Sequence, residues 1–576
     1  MNSSGLSITL INHGNLAEAE ASVAGRPRLA AAHPIQASTC DPRLPFLRIP
    51  PFPGGRVPAF TELSGERADP EAVAEQLRRC RVGGSYWATQ PALPANHVLV
   101  RCRSALEATA NLPGSGPLVL WEVEASGLPF NGHTVVSGEC DPWHMLSGSA
   151  ALVAESDDEL RTIAALLNVP CFLFDEATGE LARDSASVVS LIGSALPQTG
   201  FENPFTGEPM NVVEAVELCG FWRGLIDSNR DIAGGLGFAF WKQDHVAPLL
   251  WDGLAPFRFL RGARDLEGDG AVAIWRSKAP PAAVAELEAR HLPLVEVEDG
   301  FLRSRGLGAD CIPPLSITVD RSGAYFDPSC ESDLERVLEH GEFGRRLLDR
   351  ARELRLLIVQ VGIGKYERGV TALERPAGKR RHILVPGQVE DDRAVIAGGC
   401  GLVRNIDLLA RVRAQAPDAF ILYKPHPDVL AGHRRGEIGD QECLRFADKI
   451  VANVPIASLI DMVDEVHVNT SLTGFEALLR HKPVTTYGVP FYAGWGLTTD
   501  LGPVPSRRTA TRTLDELVAA ALLLYPRYLD PLTGLPCPAE VVVGRLGAGD
   551  EEDLRLIVGL RRLQGKLMRR LRSLVQ

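Results

Sequence analysis

A histidine held between two prolines stands in the stretch Tyr423-Lys424-Pro425-His426-Pro427-Asp428. Flanking prolines restrict the backbone on both sides, so the imidazole is aimed in one direction. Lys424 adds a positive charge close by, and the pairing suits a phosphate oxygen. A second stretch, Asn469-Thr470-Ser471-Leu472-Thr473-Gly474-Phe475-Glu476, puts hydroxyls where a strand gives way to a helix. The first amides of a helix lack intrahelical partners and carry partial positive charge, so such a turn binds anions. The same residues also read as an ordinary Ser/Thr helix cap. A third stretch, Glu296-Val297-Glu298-Asp299-Gly300-Phe301-Leu302-Arg303-Ser304, carries Glu298 and Asp299 to a strand end, where carboxylates serve as general acid or base. An exposed acidic turn is the plainer alternative, and Arg303 and Arg305 are close enough to hold an anionic substrate. The fourth, Pro386-Gly387-Gln388-Val389-Glu390-Asp391-Asp392, ends in three acids that suit a metal site, a carboxylate nucleophile or a solvated loop. By contrast, His33-Pro34 follows no strand and receives no role.

These stretches share a setting. Each follows a short apolar run with strand character: Leu294–Glu298, His382–Val385, Ala419–Lys424 and Glu465–Asn469. Helical spacing recurs between them, over Asn405–Gln415, Ile456–Met462 and Gly474–Arg480. Alternating strands and helices argue a parallel sheet flanked by helices, in which ligands bind beyond the carboxyl ends of the strands. The fold class expected is therefore α/β. Further strands are expected at Gly270–Trp275, Leu315–Val319 and Leu356–Val361, and nearer the N-terminus at His97–Arg101, Pro117–Trp121, Ala150–Ala154 and Cys171–Phe174. Ala72–Arg81 and Asp157–Leu167 have helical spacing. One internal repeat is visible: residues 142–170 parallel residues 455–483 at an offset of 313, with Pro142 on Pro455, Val153 on Val466 and Pro170 on Pro483. In that register Asp157 and Asp158 stand where the later copy has Thr470 and Ser471, and two carboxylates there would repel a phosphate.

Composition sets the bounds. The chain of 576 residues is 45% hydrophobic and 23% charged, an ordinary globular balance. Its net charge of −12 excludes a general electrostatic grip on nucleic acid, though not a local basic pocket. Eleven cysteines without a Cys-x-x-Cys pair indicate neither a zinc ribbon nor a disulfide framework, and point to reduced thiols in a cytosolic protein. No basic leader and no apolar run near the ~20 residues of a membrane span are seen. The basic run Leu554–Leu574, with Arg561, Arg562, Lys566, Arg569, Arg570 and Arg572, would either touch anionic lipid or form a solvated helix face.

Taken in order, VEDGFLRSRGLGAD, PPLSITVDRSGAYFDP, ILVPGQVEDD, YKPHPDV and NTSLTGFEALLRHKPVTTYGVPFYAGWGLTTD resemble the bacterial capsule polysaccharide biosynthesis proteins of the KpsC type. The resemblance spans roughly residues 200–540 and includes NPFTG near 203, WKQDHV at 241 and YPRYLDPLTG at 525. It implies a GT-B-like pair of Rossmann-like lobes and a retaining transfer of β-Kdo (3-deoxy-D-manno-oct-2-ulosonic acid) from CMP-β-Kdo to a lipid-linked saccharide acceptor. By that resemblance Asp392, four residues after Gln388, is the nucleophile, and Glu298 or Asp299 carries the proton. Lys424, His426 and Pro427 would bind the CMP phosphate, with Thr470, Ser471 and Glu476 beside the nucleotide. No metal and no cofactor other than the donor is implied. Five segments are expected: a loop-rich leader (1–90), a partial α/β module like a degenerate nucleotide lobe (91–195), an acceptor lobe (200–400), a CMP-sugar lobe (401–505) and C-terminal helices (506–576). Long family members carry two complete transferase modules, whereas only one is complete here. The protein is expected in the cytoplasm, peripheral on the inner membrane face and near the capsule export machinery. A transferase for another nucleotide sugar and a non-catalytic export component are the rival expectations.

Overall fold

The computed structural model describes residues 45–65, 68–102, 116–121, 134–196, 199–302, 313–362, 375, 378–432 and 434–548. The first part of the leader, Arg303, Arg305 and the basic run 554–574 lie outside the described residues. The chain divides into two compact units. One is the described part of Met1–Arg230 with Leu250–Pro256, and the other is that of Asp231–Leu249 with Phe257–Gln576.

The smaller unit is built on a six-stranded sheet. Its order is Thr134–Val136, Leu118–Trp121, Val98–Arg101, Ala151–Ala154, Cys171–Asp175, Glu180–Arg183, all parallel except the last. Val98, Val100, Leu120, Ala151, Val153 and Phe174 form one face of its core. The expected leader is only partly a leader: Phe46, Leu47, Ile49 and Phe52 are buried, and Phe52 meets the rings of Trp222 and Trp251 edge-on. Proline denies this segment a helix, but its apolar side chains still gain from burial. The helix Pro70–Cys80 is capped by Asp69 and lies against the helix Val212–Asp227. Gly220 makes that approach possible, since a Cβ there would run into Cys80.

The larger unit holds two sheets, each an open α/β layer, in keeping with the α/β class and the two lobes expected from sequence. The seven-stranded sheet runs Phe259–Leu260, Ile232–Leu236, Ala271–Ile274, Leu294–Asp299, Ser316–Asp320, Pro526–Leu529, Pro536–Cys537. Its first four strands are parallel and its last three antiparallel. Two of these strands come from the region expected to be wholly helical, because Tyr525-Pro526 ends the preceding helical turn and extends the chain alongside Ser316–Thr318. The expected strand Leu356–Val361 is instead the end of the helix Arg345–Val361. Its buried residues Leu347, Ala351, Leu354 and Ile358 recur at helical spacing, which outweighs the β-branched tail.

The six-stranded sheet is parallel throughout. It runs Lys449–Ile450, Phe420–Lys424, His382–Pro386, Glu465–Val468, Val484–Thr486, Thr499–Asp500, which is order 3-2-1-4-5-6. Buried Ile383, Val385, Ile421, Tyr423, Leu409 and Val412 pack one face against the helix Asn405–Gln415. Strand order reverses between His382–Pro386 and Glu465–Val468, and a crevice opens at such a switch point.

Candidate active site

Three loops leave the carboxyl edge of the six-stranded sheet side by side. The loop after His382–Pro386 is central, with the His426 loop on one side and the Thr470 loop on the other. Gln388 ties the central loop across the switch point. Its Nε2 donates to Thr470 Oγ1 (2.9 Å), and Thr470 N donates to its Oε1 (3.1 Å). Asn405 fixes Gln388 in turn, accepting from Gln388 N and donating to Gln388 O, both at 2.8 Å. Gly387 is required in this turn, since a Cβ there would meet the Tyr423 hydroxyl. Gln388 thus acts through Thr470, as a clamp.

His426 caps the short helix Pro427–Leu430, and its Nδ1 accepts from Asp428 N at 3.1 Å. An accepting Nδ1 puts the proton of the neutral ring on Nε2, which makes that nitrogen a donor. Pro427 occupies the first helical position, where its missing N–H costs nothing. Ser471 caps the helix Leu472–Leu479 through Thr473 N, while its carbonyl accepts from the Tyr492 hydroxyl. Glu476 lies half-buried on that helix. Lys424 is buried, and its ammonium donates to the carbonyls of Ala452 (3.0 Å) and Val454 (2.7 Å). These bonds tie the end of its strand to the neighbouring loop.

The three acids of the central loop point apart. Glu390 accepts from Asn405 N, Asp391 pairs with Arg434 (3.2 Å), and Asp392 caps the helix Arg393–Gly398 through Ala394 N (3.0 Å). Among the described residues no three His, Cys, Asp or Glu side chains are grouped to hold a metal. Capping engages one oxygen of the Asp392 carboxylate.

Across the unit, the strand Leu294–Asp299 of the seven-stranded sheet delivers Glu296, Glu298 and Asp299. Gly300 then lets the chain pass against Ser316, with no room for a Cβ. Each carboxylate has a cation. Arg276 bonds to Glu296, and Lys242 bonds to Asp299 (2.8 Å) while resting on the Trp275 ring (3.5 Å). Glu298 is served from the other sheet: Arg393 Nη1 donates to its Oε1 at 2.6 Å and stands 3.6 Å from Glu296 Oε2. Burial pushes the Glu298 carboxyl up to about 7, against the pull of Arg393, with Asp299 and Glu296 adding to the rise and Lys242 opposing it. Such a group exchanges protons near neutral pH.

The expected residues therefore fall into two clusters, Gln388, His426, Thr470 and Ser471 at the switch point and Glu298 with Asp299 on the facing strand. Arg393 joins the Glu298 cluster to Asp392, and sequence reasoning missed it. One signal was present: a cation at the first position of a helix opposes the helix dipole and needs a compensating partner.

A family model described as capsule polysaccharide biosynthesis protein matches residues 270–528. The capsule polysaccharide modification protein LipA of Neisseria meningitidis (serogroup A / serotype 4A) is 37% identical over 364 residues, 62% of this chain and 51% of LipA. The lipopolysaccharide-processing protein LpsZ of Rhizobium meliloti is 46% identical over 243 residues, 41% of this chain and 54% of LpsZ. The chain thus spans about half the length of the curated relatives it matches. A solved chain titled Thermosulfurimonas dismutans KpsC, beta Kdo 2,4 transferase, is 33% identical, with a TM-score of 0.48. The match covers 55% of this chain and 98% of that one.

Proposed function

Because this chain belongs, over residues 270–528, to the capsule polysaccharide biosynthesis protein family, we propose that its larger unit transfers β-Kdo from CMP-β-Kdo with retention. The acceptor is a lipid-linked saccharide, and the product is a linker for capsular polysaccharide. The observation that carries this reading is the pairing of an anion-binding switch point with two carboxylates, Asp392 and Glu298, joined by Arg393. Retention requires two inversions at the reacting carbon. In the first, the Asp392 oxygen attacks the anomeric carbon and the bond to the CMP phosphate breaks, with the electron pair leaving on phosphate. His426 Nε2–H, the Ser471 and Thr470 hydroxyls and the amides of the helix Leu472–Leu479 receive that charge. In the second, an acceptor hydroxyl attacks the same carbon, the ester to Asp392 breaks, and Glu298 takes the hydroxyl proton. Asp299, paired with Lys242, keeps its charge and sets the local field. Glu476 lies beside the nucleotide. The acceptor's lipid places the reaction at the inner face of the cytoplasmic membrane. Among the described residues no helix is long and apolar enough to cross it.

Mass spectrometry of the purified protein with freshly generated CMP-Kdo and a Kdo-terminated acceptor tests this reading, beside Asp392→Asn. Asparagine caps a helix as well as aspartate, so the variant keeps its fold. Transfer by the wild type, none by the variant and a Kdo adduct on Asp392 are expected. CMP binding without Kdo transfer would replace Kdo by another CMP-linked sugar. Neither binding nor transfer would leave a non-catalytic export component as the better reading.

A further inference from the structure

Arg393 is the described residue that links the nucleophile's loop to the carboxylates of the facing strand. Its guanidinium lies along the Phe326 ring, 4.9 Å from the centroid, and is one-third exposed. Resting on the transferase reading above, we propose that Arg393 is the receptor for the donor's carboxylate, exchanging Glu298 for the acid group of a 2-keto sugar when the donor enters.

Elementary chemistry places the receptor here. In a 2-keto sugar acid the carboxylate is attached to the anomeric carbon itself, unlike any aldose donor. A side chain that reads it must therefore stand beside the nucleophile. Arg393 follows Asp392 directly, at the first position of the helix that Asp392 caps. Its planar fork matches a carboxylate in two-point contact. Among the described residues the neighbouring cations have partners of their own: Arg276 with Glu296 and Glu288, Lys242 with Asp299 and Trp275, Lys424 with two carbonyls. Among the described residues Arg393 bonds closely to Glu298, and that partner is the group the second step needs as a base. The exchange leaves the charge of Arg393 compensated throughout. It also removes the cation that makes Glu298 less basic, leaving Glu298 among Glu296, Asp299 and Lys242 as a stronger base for the acceptor hydroxyl. Selection for an acid sugar and release of the base thus become one event.

Two variants test the exchange, Arg393→Gln and Arg393→Lys, each measured for CMP binding by calorimetry and for donor KM in Kdo transfer from CMP-Kdo. CMP lacks the sugar carboxylate, so its Kd is expected to stay within about twofold of wild type. The donor KM is expected to rise at least about 30-fold in Arg393→Gln, the cost of losing one partner of a desolvated charge pair. Arg393→Lys keeps the charge without the fork, and a smaller rise is expected. A donor KM unchanged in either variant would overturn the proposal while leaving the transferase reading standing. Absence of Kdo transfer by the wild type would overturn that reading and this proposal with it.

Discussion

In the smaller unit, the strand Val98–Arg101 ends on a guanidinium; in the larger unit, the matching strand His382–Pro386 ends on a Pro-Gly turn. The two sheets share their strand order over five strands, 3-2-1-4-5. Their fourth and fifth strands, with the intervening helices Leu160–Leu166 and Leu472–Leu479, fall on the sequence repeat at its offset of 313, give or take a residue. The switch points differ in charge. Arg101 lies on the Trp121 ring (4.4 Å) and pairs with Asp158 (3.6 Å), which also accepts from Leu160 N (2.8 Å). At the later switch point Gln388 and Thr470 exchange neutral hydrogen bonds, and Ser471 stands in the place of Asp158. One sheet supplies its own anion at this point, where the other has hydroxyls and amides that the proposed function assigns to the donor phosphate. A shared topology makes the crevice; the charge of two or three loop residues decides whether a ligand has any reason to enter it.

The largest effect is expected from importing the earlier solution into the later site. Ser471→Asp preserves the cap on Thr473, since aspartate caps as well as serine. It also sets a carboxylate against the phosphate. Like charges brought together at a desolvated site cost several kcal/mol, so CMP affinity and transfer should fall about 10³-fold with little loss of thermal stability. A variant that still binds CMP would break the comparison, showing that the Ser471 turn does not face the phosphate. Next comes Glu298→Gln. Glu298 has its carboxyl raised to about 7, so the ionised base is lost as pH falls below that value. Wild-type kcat/KM for transfer should therefore drop about tenfold per pH unit under pH 7. Glu298→Gln should be slower by roughly 10²-fold at pH 8 and flat across that range. A variant retaining the wild-type profile would remove Glu298 from the chemistry. Gln388→Ala deletes both bonds to Thr470, and should raise the donor KM by about tenfold, at about 1 kcal/mol for each bond net.

Much of this arrangement was readable from sequence, for local reasons. Strands that end in Pro-Gly, His-Pro or Thr-Ser announce their own boundaries, and the parallel sheet follows from their alternation with helices. The Asp157-Asp158 pair disclosed the altered switch point without any structure. What escaped was either two-sided or distant. Leu356–Val361 is apolar enough for a strand, and only the buried spacing from Leu347 onward marks it as helix. Pro526–Leu529 carries no strand signal of its own, and its identity comes from pairing with Ser316–Thr318. Lys424 sits beside His426 in sequence, yet its ammonium reaches the turn after another strand. Arg393 finds Glu298 across 95 residues, and no local pattern encodes that meeting.

The smallest effect on transfer, and the sharpest on the comparison, is expected from Asp158→Ser. The change restores to the earlier sheet the residue type of the later one. Burial pushes the Asp158 carboxyl up to about 6, with Arg101 and the Leu160 amide pulling it back, so at pH 7 it is ionised and paired. A carboxyl held above its unfolded value of 3.8 binds protons more tightly in the native state. Its ionisation therefore costs stability as pH rises from about 4 to about 6. In wild type a melt should register this as a fall in Tm of the smaller unit across that window, and Asp158→Ser should lack the fall. Serine can still cap Leu160, but Arg101 then lies without its carboxylate, a situation that destabilises by about 3–5 kcal/mol when the cation stays buried. Inorganic phosphate should recover part of that loss in the variant and do nothing for wild type, since a ligand stabilises only the state that binds it. Recovery would identify the Arg101–Asp158 pair as an anion site occupied by the chain's own carboxylate. A variant indifferent to phosphate would mean that this switch point is closed by packing as well, and that charge alone does not separate the two sheets.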